Sequence, residues 1–327
     1  MAAKVSLCMI VRDEAHHLPD CLATAGDLVD EIIVVDTGSG DATPELARRA
    51  GARVYSFVWN DDFSAARNES IRHASGDWIF WLDADDRIDE ANRQKLRELF
   101  ASLSDDNLTY IMIYLALREM GQDKNSVAHH AKLFRNDPRI RWRYRVHEQI
   151  LPAIEEAGGR AVSTDIVIHH LGYQDPGTVR CKLERNLRLL KLEEADHPGD
   201  PLMQFNLGRT VMRLGQLEAS LPYLRHAIDK LSPSAAFMTR TAYALSIEAL
   251  CRLRRSHEAI DICREGRARF PLDPQLLLAE GLVLRDLGDR AGAIARLERL
   301  LELDPQSAAA RFHLAYLRPA GTFQITI

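Results

Sequence analysis

Hydrophobic and polar positions follow two different periods along the chain. From Lys4 to about Gly172, short apolar runs alternate with amphipathic stretches, the pattern of βα units around a largely parallel sheet. Strands are predicted over Val5–Val11, Glu31–Asp36, Ala52–Phe57, Trp78–Leu82, Leu108–Leu117, Ala128–Arg135, Arg139–Val146 and Asp165–His169. Helices are predicted over Glu14–Ala25, Ala42–Ala50, Phe63–Ala74 and Asp89–Ser102. After Pro176 the β-type runs vanish, and the chain becomes helical with short loops marked by Pro, Gly and Asp. This shift sets the expected division into an α/β domain over 1–175 and an all-α domain over 176–327. In such a sheet, ligands bind beyond the carboxyl ends of the strands.

The helical half repeats. Ala259-Ile260 and Ala293-Ile294 lie 34 residues apart, as do Pro271 and Pro305, and 34 is the tetratricopeptide period. Units are expected at about 201–234, 240–273 and 274–307, with a partial cap to about Pro319. Leu207-Gly208 and Gly281 take the small-residue slot that lets paired helices approach closely, and stacking buries what one pair leaves open. An irregular helical bundle is the alternative.

Whole-chain properties narrow the partners. With 327 residues, 46% of them hydrophobic, the chain is long enough for two cores. A net charge of -5 gives no global attraction to nucleic acid. The five cysteines form no CxxC pair, so the expectation is a reducing, cytoplasmic setting. The longest apolar stretches, such as Tyr110–Leu117, fall short of a membrane span, which leaves only peripheral contact with a membrane.

Two strand ends carry the candidate chemistry. Glu31–Val35 ends in Asp36 and continues as Thr37-Gly38-Ser39-Gly40-Asp41-Ala42-Thr43. A carboxylate there can accept from the N–H of a nucleobase, while the Gly38 turn leaves backbone N–H groups open. Asp41 reads equally well as a cap of the next helix. The second strand, Trp78–Leu82, ends in Asp83-Ala84-Asp85-Asp86. Residues two apart in an extended segment point the same way, so Asp83 and Asp85 project together and repel. Mg²⁺ or Mn²⁺ suits such hard oxygen ligands and completes its shell with substrate phosphate. An Asp-x-Asp in a solvated turn is the alternative. Arg139, Arg141, Arg143 and Arg145 alternate with Ile140, Trp142, Tyr144 and Val146, which in a strand gathers four guanidinium groups on one face, either to hold an anion or to pair with acidic neighbours. Packing is the expected role of Trp78 and Trp81.

Taken together, these residues resemble family 2 glycosyltransferases of the GT-A fold. The resemblance rests on Ser6–Glu14, on Val35-Asp36-Thr37-Gly38-Ser39 with Asp41 and Thr43, on Ala66-Arg67-Asn68, and on Gly76-Asp77-Trp78 leading to Leu82–Asp86. It implies inverting transfer of a sugar from a nucleotide diphosphate, usually UDP. By the same comparison the donor base and ribose are held by the first-strand segment with Val11, Arg12 and Glu14, and by Asp36. Arg67 is a donor-site residue, Asp85 the leading metal ligand, and Asp83 contacts the ribose or the metal-bound shell. Glu14 doubles as a first-turn glutamate favoured by the helix dipole. The segment reads Val11-Arg12-Asp13-Glu14 where Asn-Glu is frequent in the family.

Joined to tetratricopeptide repeats, the chain is similar to a bacterial subgroup that includes peptide S-glycosyltransferases. His147-Glu148 resembles that subgroup's His-Glu pair, making Glu148 the expected base with Asp86 behind it. A salt bridge to nearby arginines is the other reading of Glu148. Ile168–Tyr173 resembles the closing segment, in which His170 completes the metal shell, touches the diphosphate, or simply ends a strand. The resemblance does not carry over the acceptor. Repeat arrays usually present a concave surface to peptides or partner proteins, so a peptide or protein acceptor is expected, with a saccharide or lipid-linked acceptor as the alternative. The same helices alternatively form a homodimer interface. Two competing readings are a non-catalytic repeat scaffold with a degenerate α/β unit and a sugar-phosphate nucleotidyltransferase. The latter calls for a glycine-rich basic loop where this chain has Arg12-Asp13-Glu14-Ala15-His16.

Overall fold

The computed structural model describes residues 3–104, 107–116, 126–172 and 176–318; Leu117, Tyr173 and Pro319 lie outside these ranges. The chain divides into two compact units, Met1–Lys182 and Leu183–Ile327. A long helix, Pro176–Asp196, begins beside the residue 175/176 boundary expected from composition and runs across that division.

The first unit holds strands β1 (Val5–Val11), β2 (Glu31–Asp36), β3 (Arg53–Ser56), β4 (Trp78–Trp81), β5 (Asp86–Arg87), β6 (Leu108–Ala116), β7 (Ser126–Arg135) and β8 (Arg160–His170). They form one mixed sheet in the order β3-β2-β1-β4-β7-β6-β8-β5. The first four are parallel, β7 runs antiparallel to both β4 and β6, β8 lies parallel to β6, and β5 closes the edge antiparallel to β8. The helices are α1 (Leu18–Ala25), α2 (Thr43–Arg49), α3 (Phe63–His73), α4 (Glu90–Ser102) and α5 (Leu151–Glu156).

Alternation along the strands builds a core on each face of the sheet. Leu7, Met9, Trp78 and Phe80 pack with Leu18, Leu22, Leu96 and Phe100 of α1 and α4. Their neighbours Cys8, Ile33, Ile79 and Trp81 pack on the other side with Ile71 of α3 and Ile154 of α5. Full burial of each such large side chain contributes roughly 1.5–3 kcal/mol.

Several local features differ from the sequence pattern, among them β8, which starts at Arg160 and not at Asp165. Helix α1 starts at Leu18 rather than Glu14, after a turn in which the Glu14 carbonyl accepts from His17 and Leu18. A helix begun at Glu14 would put the Pro19 ring against the carbonyl of Ala15. Helix α5 and the two-residue β5 are additions.

The largest correction concerns Arg139–Val146, which is not a strand. Arg143 and Gln149 form an isolated bridge, and Tyr144 and His147 take positive φ of 73° and 57°, which breaks an extended run. The apolar half of the alternation survives, because Ile140, Trp142 and Val146 are buried. The face of four guanidinium groups does not form: Arg139 pairs with Asp137, Arg143 with Glu156, and Arg141 donates to the carbonyls of Asp137 and Ile140. Asn68 does for Trp142 what a neighbouring strand would do. Its side-chain oxygen accepts from the Trp142 N–H at 2.8 Å and its amide donates to the Trp142 carbonyl at 3.0 Å. The start of α3 also pins the loop, with Phe63 N–H donating to the Arg145 carbonyl and Ser64 Oγ to that of Tyr144.

The second unit is a row of helical hairpins. Numbering continues with α6 (Pro176–Asp196), followed by the pairs α7 (Pro201–Arg213) with α8 (Leu217–Lys230), α9 (Ala236–Arg252) with α10 (Ser256–Arg269), and α11 (Pro274–Asp286) with α12 (Arg290–Leu303), then α13 (Ala308–Leu317). Asp200 and Asp273 cap α7 and α11, each accepting from two backbone N–H groups just before Pro-initiated helices. Small residues sit where helices cross: a Cβ on Gly208 would stand 2.8 Å from the Leu224 side chain, and one on Gly281 3.1 Å from Leu297. Helices α9 and α11 end 34 residues apart at Arg252 and Asp286, whereas α7 and α9 end 39 apart at Arg213 and Arg252. The excess lies in a turn at Pro233–Ala235 and a 17-residue α9, so the second repeat opens at Ala236, ahead of the expected residue 240. Among the described residues, no helix is long and apolar enough to cross a membrane.

Candidate functional site

Strand β1 lies between β2 and β4, so the loops leaving their carboxyl ends are neighbours. Register sets Val11 opposite Asp36. Beyond that point the β1 and β2 loops are tied together: Asp13 N–H donates to Ser39 Oγ, Gly40 N–H to Asp13 Oδ1 and Glu14 N–H to Thr43 Oγ1. Asp41 accepts from the N–H groups of Thr43 and Ala15, and the Thr43 hydroxyl holds its pKa below the usual carboxylate range. Asp36 is buried at its strand end, and its Oδ1 takes both the Ser39 hydroxyl at 2.5 Å and the Ser39 N–H at 3.2 Å. Among the described residues, its Oδ2 has only a 3.3 Å approach from the same N–H and is the less committed oxygen. Gly38, with φ of 104°, supplies the left-handed residue that turns the chain here. Arg12 is exposed, with Asp13 at 3.7 Å.

The turn after β4 is joined to the first loop, since Arg87 donates to the His17 carbonyl and Cys21 Sγ lies 3.3 Å from the Asp83 carbonyl. Its three carboxylates have different partners. Asp83 accepts from Arg67 at 2.9 Å. Burial opposes its ionisation, but Arg67, Lys132 and His170 outweigh it and hold the carboxyl well below the usual range. Asp86 is fully buried and accepts from Lys132 Nζ at 2.9 Å and from the Asp83 N–H at 3.1 Å on one oxygen, with His170 Nδ1 at 3.0 Å from the other. Among the described residues, Asp85 has no lysine or arginine partner. His170 Nδ1 stands 3.4 Å away, and burial, together with the negative charge of Asp83 and Asp86, raises the Asp85 pKa.

The two cations pack on one aromatic residue. Lys132 Nζ lies 3.6 Å from the Trp81 ring centre and the Arg67 guanidinium 4.4 Å. When desolvated, such contacts contribute about 2 kcal/mol each. Arg67 also donates through Nε to Glu148 Oε1 at 3.0 Å, linking Glu148 and Asp83 through one guanidinium. Pairing of β5 with β8 sets Asp86 opposite His170 and Arg87 opposite His169. Pleating separates the histidines, so that His170 faces Asp86 while His169 reaches Asp89 at 3.0 Å. Burial opposes a charge on His170, but the hydrogen bond with Asp86 and the neighbouring carboxylates raise its pKa.

The donor set is chemically suited to a divalent cation. Ligand atoms of Asp85, Asp86 and His170 all lie within 4.8 Å of one another. Among the described residues of the cluster, four carboxylates (Asp83, Asp85, Asp86 and Glu148) face Arg67, Lys132 and His170. This excess of acid, with hard oxygens beside an imidazole nitrogen, suits a divalent ion.

Residues 6–160 match the sequence model described as Glycosyl transferase family 2. The N-terminal unit is a family 2 glycosyltransferase domain. Residues 278–318 match a tetratricopeptide repeat model, so this domain is fused to repeats. A TPR repeat-containing protein of Synechococcus elongatus is 38% identical over 75% of this chain and 61% of its own length. The SPbeta prophage-derived glycosyltransferase SunS of Bacillus subtilis is 24% identical over 68% of the chain and 52% of its own length. An uncharacterized glycosyltransferase of Rickettsia felis is 27% identical over 37% of the chain and 42% of its own length. The chain thus spans half to three fifths of the first two relatives.

The glycosyltransferase domain brings Asp83, Asp85, Asp86, Arg67, Glu148 and His170 into one linked cluster, and Val11, Glu14, Asp36, Gly38 and Asp41 onto the two tied loops beside it. Arg145 lies in the irregular loop. Sequence reasoning missed Lys132. Its signal was a lysine inside the apolar run Ala131-Lys132-Leu133-Phe134, where burial demands an acidic partner.

Proposed function

We propose that the chain is an inverting glycosyltransferase that takes a sugar from a nucleotide diphosphate, with a UDP-sugar as donor and Mn²⁺ or Mg²⁺ as the assisting cation. The observation that carries this reading is the arrangement at the ends of β2, β1 and β4, where the loop with Asp36 is tied to the β1 loop, which is itself tied to the carboxylate turn. In this reading Asp36 accepts through its freer oxygen from the base, the first-strand segment with Arg12 and Glu14 flanks the nucleoside, and Asp85 and His170 hold the cation. When bound, the cation neutralises charge on the departing diphosphate. Asp83 is held by Arg67 at the edge of the same cluster and faces the donor's ribose.

Glu148 is the proposed base. One of its oxygens is occupied by Arg67, which orients the carboxylate and leaves the other to take the acceptor's proton. The acceptor atom then bonds to the anomeric carbon from the face opposite the diphosphate, the bond to the diphosphate breaks, and the configuration inverts. Repeats present extended concave surfaces that usually take peptides or partner proteins, so we assign the helical unit to acceptor recognition, with a peptide or protein as the favoured acceptor and a saccharide as the alternative. We assign the reaction to the cytoplasm, a reading that the five free cysteines support.

The test is incubation with UDP- and GDP-sugars and each cation, reading donor hydrolysis and mass increments on candidate peptides and glycans. Asp85→Ala is expected to abolish turnover while the circular dichroism spectrum stays unchanged. Full turnover by that variant contradicts the reading, and no turnover by the wild type with any donor favours a non-catalytic scaffold.

A further inference from the structure

We infer that Lys132 and Asp86 form a positioning pair that presents His170 to the cation through Nε2, so that Asp86 stands behind the imidazole rather than on the metal. This rests on the cation assistance proposed above.

Asp86 has no exposed surface. Its Oδ2 accepts from Lys132 Nζ at 2.9 Å and from the Asp83 N–H at 3.1 Å, and its Oδ1 faces His170 Nδ1 at 3.0 Å. Both oxygens therefore already accept from protein donors, three bonds in all, and the lone pair left on Oδ1 has no exposed surface through which to reach an ion. Asp85 differs, since among the described residues His170, at 3.4 Å, is its only side-chain partner. Asp85 offers a carboxylate ready for a cation.

The imidazole follows from the same geometry. An ionised carboxylate only accepts, so in the neutral ring the proton facing Asp86 belongs on Nδ1, and the lone pair belongs on Nε2. Among the described residues Nε2 has no hydrogen-bond partner. A histidine that binds metal through one nitrogen commonly donates its other N–H to a carboxylate, which sets tautomer and ring orientation. Here the carboxylate is itself held. The Lys132 ammonium lies 3.6 Å from the Trp81 ring centre and 5.0 Å from that of Tyr114, and the Tyr114 ring stands 4.9 Å from His170. The β5–β8 register, which sets Asp86 opposite His170, locks the pair from the backbone side.

The experiment is nitrogen-15 NMR of histidine-labelled full-length protein at mildly alkaline pH, first without metal and then with Zn²⁺ as a diamagnetic probe. His170 is assigned by its loss in His170→Gln. The expected apo spectrum shows His170 protonated on Nδ1, and Zn²⁺ moves the Nε2 resonance. Asp86→Asn alone leaves a buried unpaired lysine, so the informative variant is Asp86→Asn with Lys132→Met, which removes both charges. It is expected to lose the tautomer preference and to bind Zn²⁺ about 10–100-fold more weakly while retaining the site. A proton on Nε2 in the apo protein, a Zn²⁺ effect on Nδ1, or unchanged affinity in the double variant overturns the inference. If Nδ1 carries the proton but Zn²⁺ moves neither nitrogen, the cation part of the proposed function is overturned together with the presentation of His170. The retained tautomer separates that outcome from a mistaken orientation.

Discussion

Lys132 and Asp86 meet at 2.9 Å with neither side chain reaching solvent. Removing one member of a buried pair leaves an uncompensated charge, typically a loss of about 3–5 kcal/mol, whereas removing both is far less costly. Lys132→Met should therefore destabilise the N-terminal unit by about that amount, and adding Asp86→Asn should recover most of it. Urea unfolding followed by tryptophan fluorescence checks this, and additive losses would contradict the pairing.

Arg67 joins Asp83 and Glu148 through two different nitrogens. An ammonium is a point charge and cannot span both carboxylates as a planar fork does. Arg67→Lys should keep the fold but lower turnover at least tenfold, and the surviving rate should depend on Glu148 less than in the wild type. A double-mutant cycle with Glu148→Gln measures that coupling, and full additivity would dissociate the two residues.

Legibility of the chain varied with how local the cause was. β1 and β2 could be read to the residue because their apolar runs are buried on both faces and end at turn residues. Asp36 and Asp83–Asp86 could be read because they follow such strands. Arg139–Val146 misled because alternation records burial and not hydrogen-bond partners: the segment buries Ile140, Trp142 and Val146 as expected, but Asn68, some seventy residues earlier, satisfies Trp142 in place of a strand. Lys132 could not be assigned an acid from sequence, because its partner lies 46 residues away in the chain. The first repeat was blurred by the longer connection into α9, which shifts the 34-residue frame.

His130, stacked on Tyr114 beside the same cluster, gives a pH test. Burial, reinforced by the Lys132 charge, lowers its pKa from 6.5 to about 4, and its Nδ1 is buried without a hydrogen-bond partner among the described residues. Between those values the unfolded chain binds a proton that the folded chain refuses, so stability rises with pH across this window and falls on acidification from 6.5 to about 4. His130→Phe preserves a ring against Tyr114, which stacks at 4.4 Å, and should flatten that part of the pH–stability curve. An unchanged slope would mean that His130 titrates normally.

The repeat hairpins discriminate between two glycines. Replacing helical Gly by Ala favours the helix by about 1 kcal/mol. At Gly208 the new methyl would meet buried Leu224 at 2.8 Å, and overpacking of that kind costs about 1–3 kcal/mol. At Gly281 the approach to Leu297 is 3.1 Å and milder. Gly208→Ala should lower the melting temperature and Gly281→Ala should leave it nearly unchanged or raise it. The reverse order would contradict the packing.

The most direct test asks whether Asp36 and Asp85 serve the same ligand. Calorimetric titration of UDP-sugar in the presence of Mn²⁺ should show one site in the wild type, weakened at least tenfold by Asp36→Ala and by Asp85→Ala, with the dependence on Mn²⁺ lost in the Asp85 variant and kept in the Asp36 variant. Binding that ignores either substitution, or that is the same without the cation in the wild type, would contradict a shared site at these strand ends.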